Sequence, residues 1–173
     1  MNIFILDPNP YVAASKMHPK HYGLNSKGTW GCPKMALEAL QMLAGAYHTW
    51  GWKPLLRLDG TPYSPNAHPH HRCSRWVRED PRHAWWTLRH ALALCERHHN
   101  SSGREPSIQT TVTQAILEFN IRTHGGHTDE PRRFVVADGI QPHDARFTAE
   151  EAVQLYTAYY ERRGLFNATR PND

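Results

Sequence analysis

Lys34, Glu38 and Gln41 stand at i, i+4 and i+7. On a helix turning about 100° per residue they project from one narrow stripe. A lysine holds an anion as a point charge or, once desolvated, serves as base or nucleophile. A glutamate one turn away suits general acid or base work. The stripe runs on through Gly45 and His48, and the rest of the circumference is apolar: Met35, Ala36, Leu37, Ala39, Leu40, Met42, Leu43, Ala46 and Tyr47. A helix apolar on most sides is a buried helix. The pattern therefore predicts that Lys34, Glu38 and Gln41 line an internal cleft, where charges need partners and paired titratable groups mark sites. The competing reading is an ordinary i,i+4 ion pair on a solvated edge.

Three further groups of residues bear on chemistry. Lys20-His21 supply a cation and an imidazole ahead of the stripe. His68-Pro69-His70-His71-Arg72-Cys73 invites a zinc reading. Tetrahedral sites draw on two separated ligand pairs, and only one cluster is present, with His18 and His21 as the remaining candidates. A metal is not expected, and His71 is read instead as an acid, a base or a phosphate donor. In Arg75-Trp76-Val77-Arg78-Glu79, Arg78 suits a phosphate and Trp76 a stacked base, although a tryptophan is also a common core residue. Tyr156, Tyr159 and Tyr160 read as core and rim residues.

Helices must position these groups. Asn9 caps a short helix with Pro10 first, carrying Val12, Ala13, Ala14 and Met17 and ending near His18-Pro19. Ile3-Phe4-Ile5-Leu6 before it is a strand or a buried extended segment. A loop over 20–31 leads to Pro33, which opens the long helix to His48. Glycines and prolines make 51–73 irregular. Ser74 to Glu79 is a helical turn or more. Asp80-Pro81 starts a helix to about His99, with Trp85, Leu88, Leu92 and Cys95 on its core side and His83, His90 and Arg97 seven residues apart on another. Pro106 opens a helix bearing Ile108, Val112, Ala115, Ile116 and Phe119, and Gly125-Gly126 ends it. Residues 124–147 form a long connection around Val135-Val136. Thr148-Ala149-Glu150-Glu151 is a capping box, and the last helix, with Ala152, Val153, Tyr156 and Tyr159, stops at Gly164. The expected fold is mainly α: one compact multi-helix domain over 1–173, with a short N-terminal extended segment and long irregular loops.

Composition sets bounds on function. The chain has 173 residues and a formal charge of +4, with a pI near 9.1. That permits an anionic partner without demanding one. Thirteen histidines would add charge near pH 6.5. Three cysteines without CxxC spacing point to reduced thiols rather than a disulfide framework. No apolar run approaches membrane-spanning length, and Met1 to Asp7 lacks the basic region of a signal peptide. A reducing cytoplasm is the expected location. There is no GxxxxGK[ST], GxGxxG or GxSxG sequence and no HxE…PCxxC pattern, which disfavours ATP-driven, NAD-dependent and deaminase chemistry. No cofactor is called for.

The chain resembles a family of small, mostly uncharacterised proteins of tailed bacteriophages and other DNA viruses. Its members share an MNIF segment, a DP turn, and DKHxxKMxLExxQML and NHPCxxWVRES blocks. An ALC[DE] helix, a PD in a loop and an AYxxYY helix follow. The matching residues are Met1 to Phe4, Asp7-Pro8, Lys20-His21, Lys34-Met35, Leu37-Glu38, Gln41-Met42-Leu43, His71, Cys73-Ser74, Trp76 to Glu79, Ala93 to Glu96, Ala137-Asp138 and Tyr156 to Tyr160. Two departures stand out. Tyr22 to Cys32 is an insertion within the KHxxKM block, and Arg72 replaces the usual proline after the histidine.

The viral setting of that family implies nucleic-acid metabolism. The resulting expectation is a viral DNA-modifying enzyme acting on a modified or activated pyrimidine by group transfer or a glycosylase/lyase-like step. Glu38, His71 and Lys34 are its candidate catalytic residues. Lys20, His21, Gln41, Trp76 and Arg78 are its candidate substrate-binding residues, with DNA or a nucleotide as partner. The alternatives are a non-catalytic nucleic-acid-binding or host-defence-inhibiting protein and, third, a metal-dependent nuclease. The apolar content and the single His/Cys cluster predict a core that folds without metal. Thermal melting should be unchanged after exhaustive chelation, and a stoichiometric metal whose removal collapses the fold would refute this.

Overall fold

The computed structural model describes residues 3–125, 131, 133–136 and 145–166. The protein is mainly helical. The order is α1 (Pro10–Ser15), a 3-10 turn (Pro19–His21), α2 (Lys34–Thr49), α3 (Arg72–Glu79), α4 (Pro81–Ser102), α5 (Gln109–Arg122) and α6 (Ala149–Arg162). Three isolated bridges, Leu24–Trp30, Leu56–Pro62 and Phe134–Phe147, are the only β pairing among the described residues. Ile3 to Leu6 is extended and unpaired, at most 5% exposed. Ala137-Asp138, Gly126 and the chain beyond 166 lie outside the described residues.

The helix ends follow from local chemistry. The Asn9 side chain accepts from the amides of Tyr11 and Val12, with Pro10 in the first position. Asp80 caps α4 through the Arg82 amide, and Gly103 closes it in the left-handed region at φ 69°. Both halves of the Thr148/Glu151 box are made at the head of α6. Helix α3 begins at Arg72 rather than Ser74, because the His71 ring accepts from the Cys73 amide and serves as its cap. Helix α5 begins at Gln109, later than Pro106 suggests, with no side-chain cap.

Helix α4 packs against α1, α2, α3 and α5. It buries far more of its circumference than Leu88 and Cys95, taking in Trp86, His90, Ala91, Leu94 and His98. Its polar side chains are the reason this is tolerable. His83 Nδ1 meets the Trp76 carbonyl at 2.7 Å. His90 Nδ1 meets that of Pro10 at 3.0 Å. The Arg97 guanidinium donates to the Ser15 carbonyl. These are the three residues spaced by seven. Trp86 Nε1 donates to the Pro8 carbonyl at 2.6 Å, and His98 Nδ1 meets that of Tyr22 at 2.9 Å. A carbonyl only accepts, so each of these imidazoles carries its proton on Nδ1. Nonhelical backbone inside a core needs such donors, and α4 supplies them.

His90 stacks on Trp86 at 4.9 Å, and its Nε2 is buried without a partner. Burial holds its pKa down to about 4 from 6.5, against the opposing pull of the Pro10 carbonyl. The unfolded chain therefore takes up this proton near pH 6.5 while the fold refuses it. The stability His90 contributes is fully present above that pH. It is lost as the pH falls towards 4, by on the order of 3 kcal/mol. Thermal melting from pH 7 to 4.5 should show a falling Tm. His90→Asn, which retains a donor for Pro10 but does not titrate, should melt lower at pH 7 and lose less on acidification. Equal slopes would remove His90 as a cause.

Candidate functional site

The 3-10 turn Pro19–His21 is set by Pro19 at its first position and by the His18 ring, whose Nδ1 accepts from the Lys20 amide at 3.1 Å. The turn points His21 inward, where it is 8% exposed. Its ring lies flat on Phe4, with centroids 4.7 Å apart and planes 17° apart. Its Nδ1 is 2.6 Å from the hydroxyl of Tyr160 on α6. Three distant segments thus meet on one imidazole: the extended N-terminus, the 3-10 turn and the last helix.

The loop between His21 and α2 does not carry Lys34 away from this group. The Gly31 amide donates to the Gly23 carbonyl at 2.8 Å, and Leu24 pairs with Trp30. Residues 24–30 loop out, and the chain closes on itself at 23 and 31. Position 23 requires glycine. Its φ is 128°, and a Cβ there would lie 2.4 Å from His98 Nδ1. The 3-10 turn accordingly packs on α2, and the charge of Lys34 acts on His21.

The electrostatics fix the state of His21. Burial is the largest influence, followed by the positive charges of Lys20, His18 and Lys34, and together they push its pKa down to about 3. The ring is neutral at physiological pH. Burial drives the Tyr160 pKa upward and keeps the phenol protonated. The His21–Tyr160 contact is therefore a hydrogen bond between two neutral groups. His21 is a neutral imidazole bonded through Nδ1 to a phenol, near two lysines.

Lys34 and Glu38 form an i,i+4 ion pair at 3.9 Å. Their environments differ. The Lys34 side chain is 71% exposed and that of Glu38 only 15%. The expected internal cleft is corrected here: Lys34 reaches into solvent at the start of α2, while Glu38 is shielded one turn later. Gln41 is half-buried on the same stripe. Farther along, Gly45 is covered by the loop before α3. A Cβ there would lie 3.1 Å from the Pro65 carbonyl and 3.8 Å from Arg78 Cδ. The far half of the stripe is thus a seat for chain rather than a cleft. Lys20 is exposed beside His21.

Three expected residues serve the fold. Trp76 is fully buried, its ring stacked on His83 at 4.3 Å and close to Phe134 at 5.7 Å. Its Nε1 donates to the Arg133 carbonyl at 2.8 Å. It cannot offer a face to a base, and the stacking role is withdrawn. Arg78 donates to the Pro69 carbonyl and ties the loop to α3. His71 Nδ1 accepts from the Cys73 amide and so caps α3, and Cys73 is sealed in the core. The sequence reading missed Tyr160. No local signal pairs it with His21, because the two are 139 residues apart.

No family model, curated protein or solved structure matches the chain. The site is therefore argued from its own geometry.

Tyr160→Phe removes the hydrogen-bond partner of His21 Nδ1. It should lower stability by roughly 1–3 kcal/mol, the usual consequence of a buried polar atom left alone. Nitrogen-15 spectra of the imidazoles should show His21 neutral from pH 5 to 8 with one tautomer dominant, and a mixture of tautomers in the variant. An imidazolium at pH 5 in the unaltered protein would refute the assignment.

Proposed function

We propose that the chain is an enzyme of nucleic-acid metabolism, acting on a modified or activated pyrimidine in DNA by group transfer or a glycosylase/lyase-like step. One observation carries the reading. A neutral His21, hydrogen-bonded through Nδ1 to Tyr160, lies beside Lys20 and Lys34, with the shielded carboxylate of Glu38 3.9 Å from Lys34. Two lysines suit an anionic group near the scissile or transferred bond. A neutral imidazole serves there as a hydrogen-bond partner for a carbonyl or departing oxygen without adding charge. Glu38, held away from bulk water, is the general base, and Gln41 faces the same stripe as a base-edge contact. The order of matched blocks along the chain also favours the viral family resemblance. Among the described residues no helix is long and apolar enough to cross a membrane.

Phosphate contacts release counterions, so binding to DNA should weaken steeply as salt rises. Binding should be measured with duplex and single-stranded DNA carrying unmodified and hydroxymethylated pyrimidines. Lys34→Met should weaken it. Glu38→Gln should leave binding and melting nearly intact and lower turnover by roughly 10²–10⁴-fold. Salt-sensitive binding without turnover in either protein would favour the non-catalytic binder. The absence of any binding at low salt would dismiss the nucleic-acid reading.

A further inference from the structure

A second cleft, of about 310 Å³, opens between the end of α1, the 3-10 turn, α4 and the segment after α6. None of Lys34, Glu38 and His21 lines it. Its chemistry is one-sided. Lys16 and Arg97 line it, and no carboxylate does among the described residues. The nearest acid in the structure's bonding, Asp7, holds Lys16 at 2.8 Å from outside the lining.

Both cations are held in place before any ligand arrives. Lys16 is tethered by Asp7 and by the Leu6 carbonyl at 3.2 Å. Arg97 lies over the Tyr22 ring at 4.6 Å and donates to the Ser15 carbonyl and to the Tyr22 hydroxyl. Two of its five N–H groups are thereby used, and its Nε is buried without a partner among the described residues. His18 also lines the cleft. Its Nδ1 accepts from Lys20, so the neutral ring carries a proton on Nε2 and is a further donor. The remaining wall is apolar, with Met17 and Tyr22 buried behind and Phe166 standing 41% exposed.

Fixed cations and a spare donor on one side, and aromatic surface on the other, make up a recognition set for an anion carried on a flat ring. The volume sits at the small end of ligand clefts, which run from about 300 to 1,000 Å³. We propose that this cleft is a second ligand site, taking an aromatic phosphomonoester of about mononucleotide size. Lys16, Arg97 and His18 would hold the phosphate, and Phe166 would cover the ring. The site is independent of the DNA reading, although His18 brings the two close: its ring is 6.2 Å from that of His21.

The test uses the full chain with labelled methionine methyls. Met17 lines the cleft, and Met35 neighbours Lys34 on α2. Titration with phenyl phosphate and with thymidine 5′-monophosphate should shift the Met17 methyl saturably. Phenol and thymidine, which lack the phosphate, should bind about tenfold more weakly or worse, as expected when charge-assisted hydrogen bonds are lost. Lys16→Gln and Phe166→Ala alter exposed groups and should fold, and each should weaken the Met17 response. Arg97→Gln should weaken it further if that protein folds. Lys34→Met should leave the Met17 response unchanged, whatever it does to DNA binding. The proposal is overturned if Met17 does not move at millimolar phosphomonoester, if thymidine and its monophosphate act equally, or if only Lys34→Met abolishes the shift.

Discussion

Backbone carbonyls without helical partners are the constraint on which this structure depends. The chain from Ile3 to Tyr22 alternates buried and exposed residues around α1 and the 3-10 turn, and several of its carbonyls end against α4. Helix α4 answers them with side-chain donors at Pro8, Pro10, Ser15 and Tyr22. Each bond places an amphipathic side chain, indole, imidazole or guanidinium, against apolar neighbours. Trp86, His90 and Arg97 thus combine packing with hydrogen bonding. Their truncation would remove both at once, leaving an orphaned acceptor beside a cavity.

The same device builds the candidate site. His21 is buried by Phe4, bonded by Tyr160 and surrounded by positive charge. It has no net charge, a state set by its surroundings rather than by its own intrinsic preference. The shielded Glu38 and the solvent-facing Lys34 sit at the boundary between this dry interior and water. A ligand arriving there would exchange hydration for dipoles already oriented.

The sequence made the helices legible and their partners obscure. Asn9-Pro10, Asp80-Pro81 and Thr148 to Glu151 announce helix starts through capping chemistry, which is local. The stripe of α2 was visible as a pattern, yet its meaning was only half readable. Gly45 looked like a gap in a polar face and is a seat for the Pro65 carbonyl, a contact decided by a distant loop. Trp76 was read by composition beside arginines, but the core claims it through His83, Phe134 and Arg133. The His83, His90 and Arg97 spacing was seen without its purpose, because their partners are backbone carbonyls of α3 and α1, which carry no signature in the sequence. Tyr160 was taken for core, and its hydroxyl matters only because the 3-10 turn brings His21 to it.

Two contacts differ sharply in the length of chain they close. Gly31 on Gly23 closes a short ring, at little cost in entropy. The contact between His21 and Tyr160 joins residues 139 apart in sequence, and closing a loop of that length costs more unless packing elsewhere shortens the effective path. Pairing of α2 with α4 provides that shortening. The hydrogen bond on His21 Nδ1 therefore depends on the docking of the last helix.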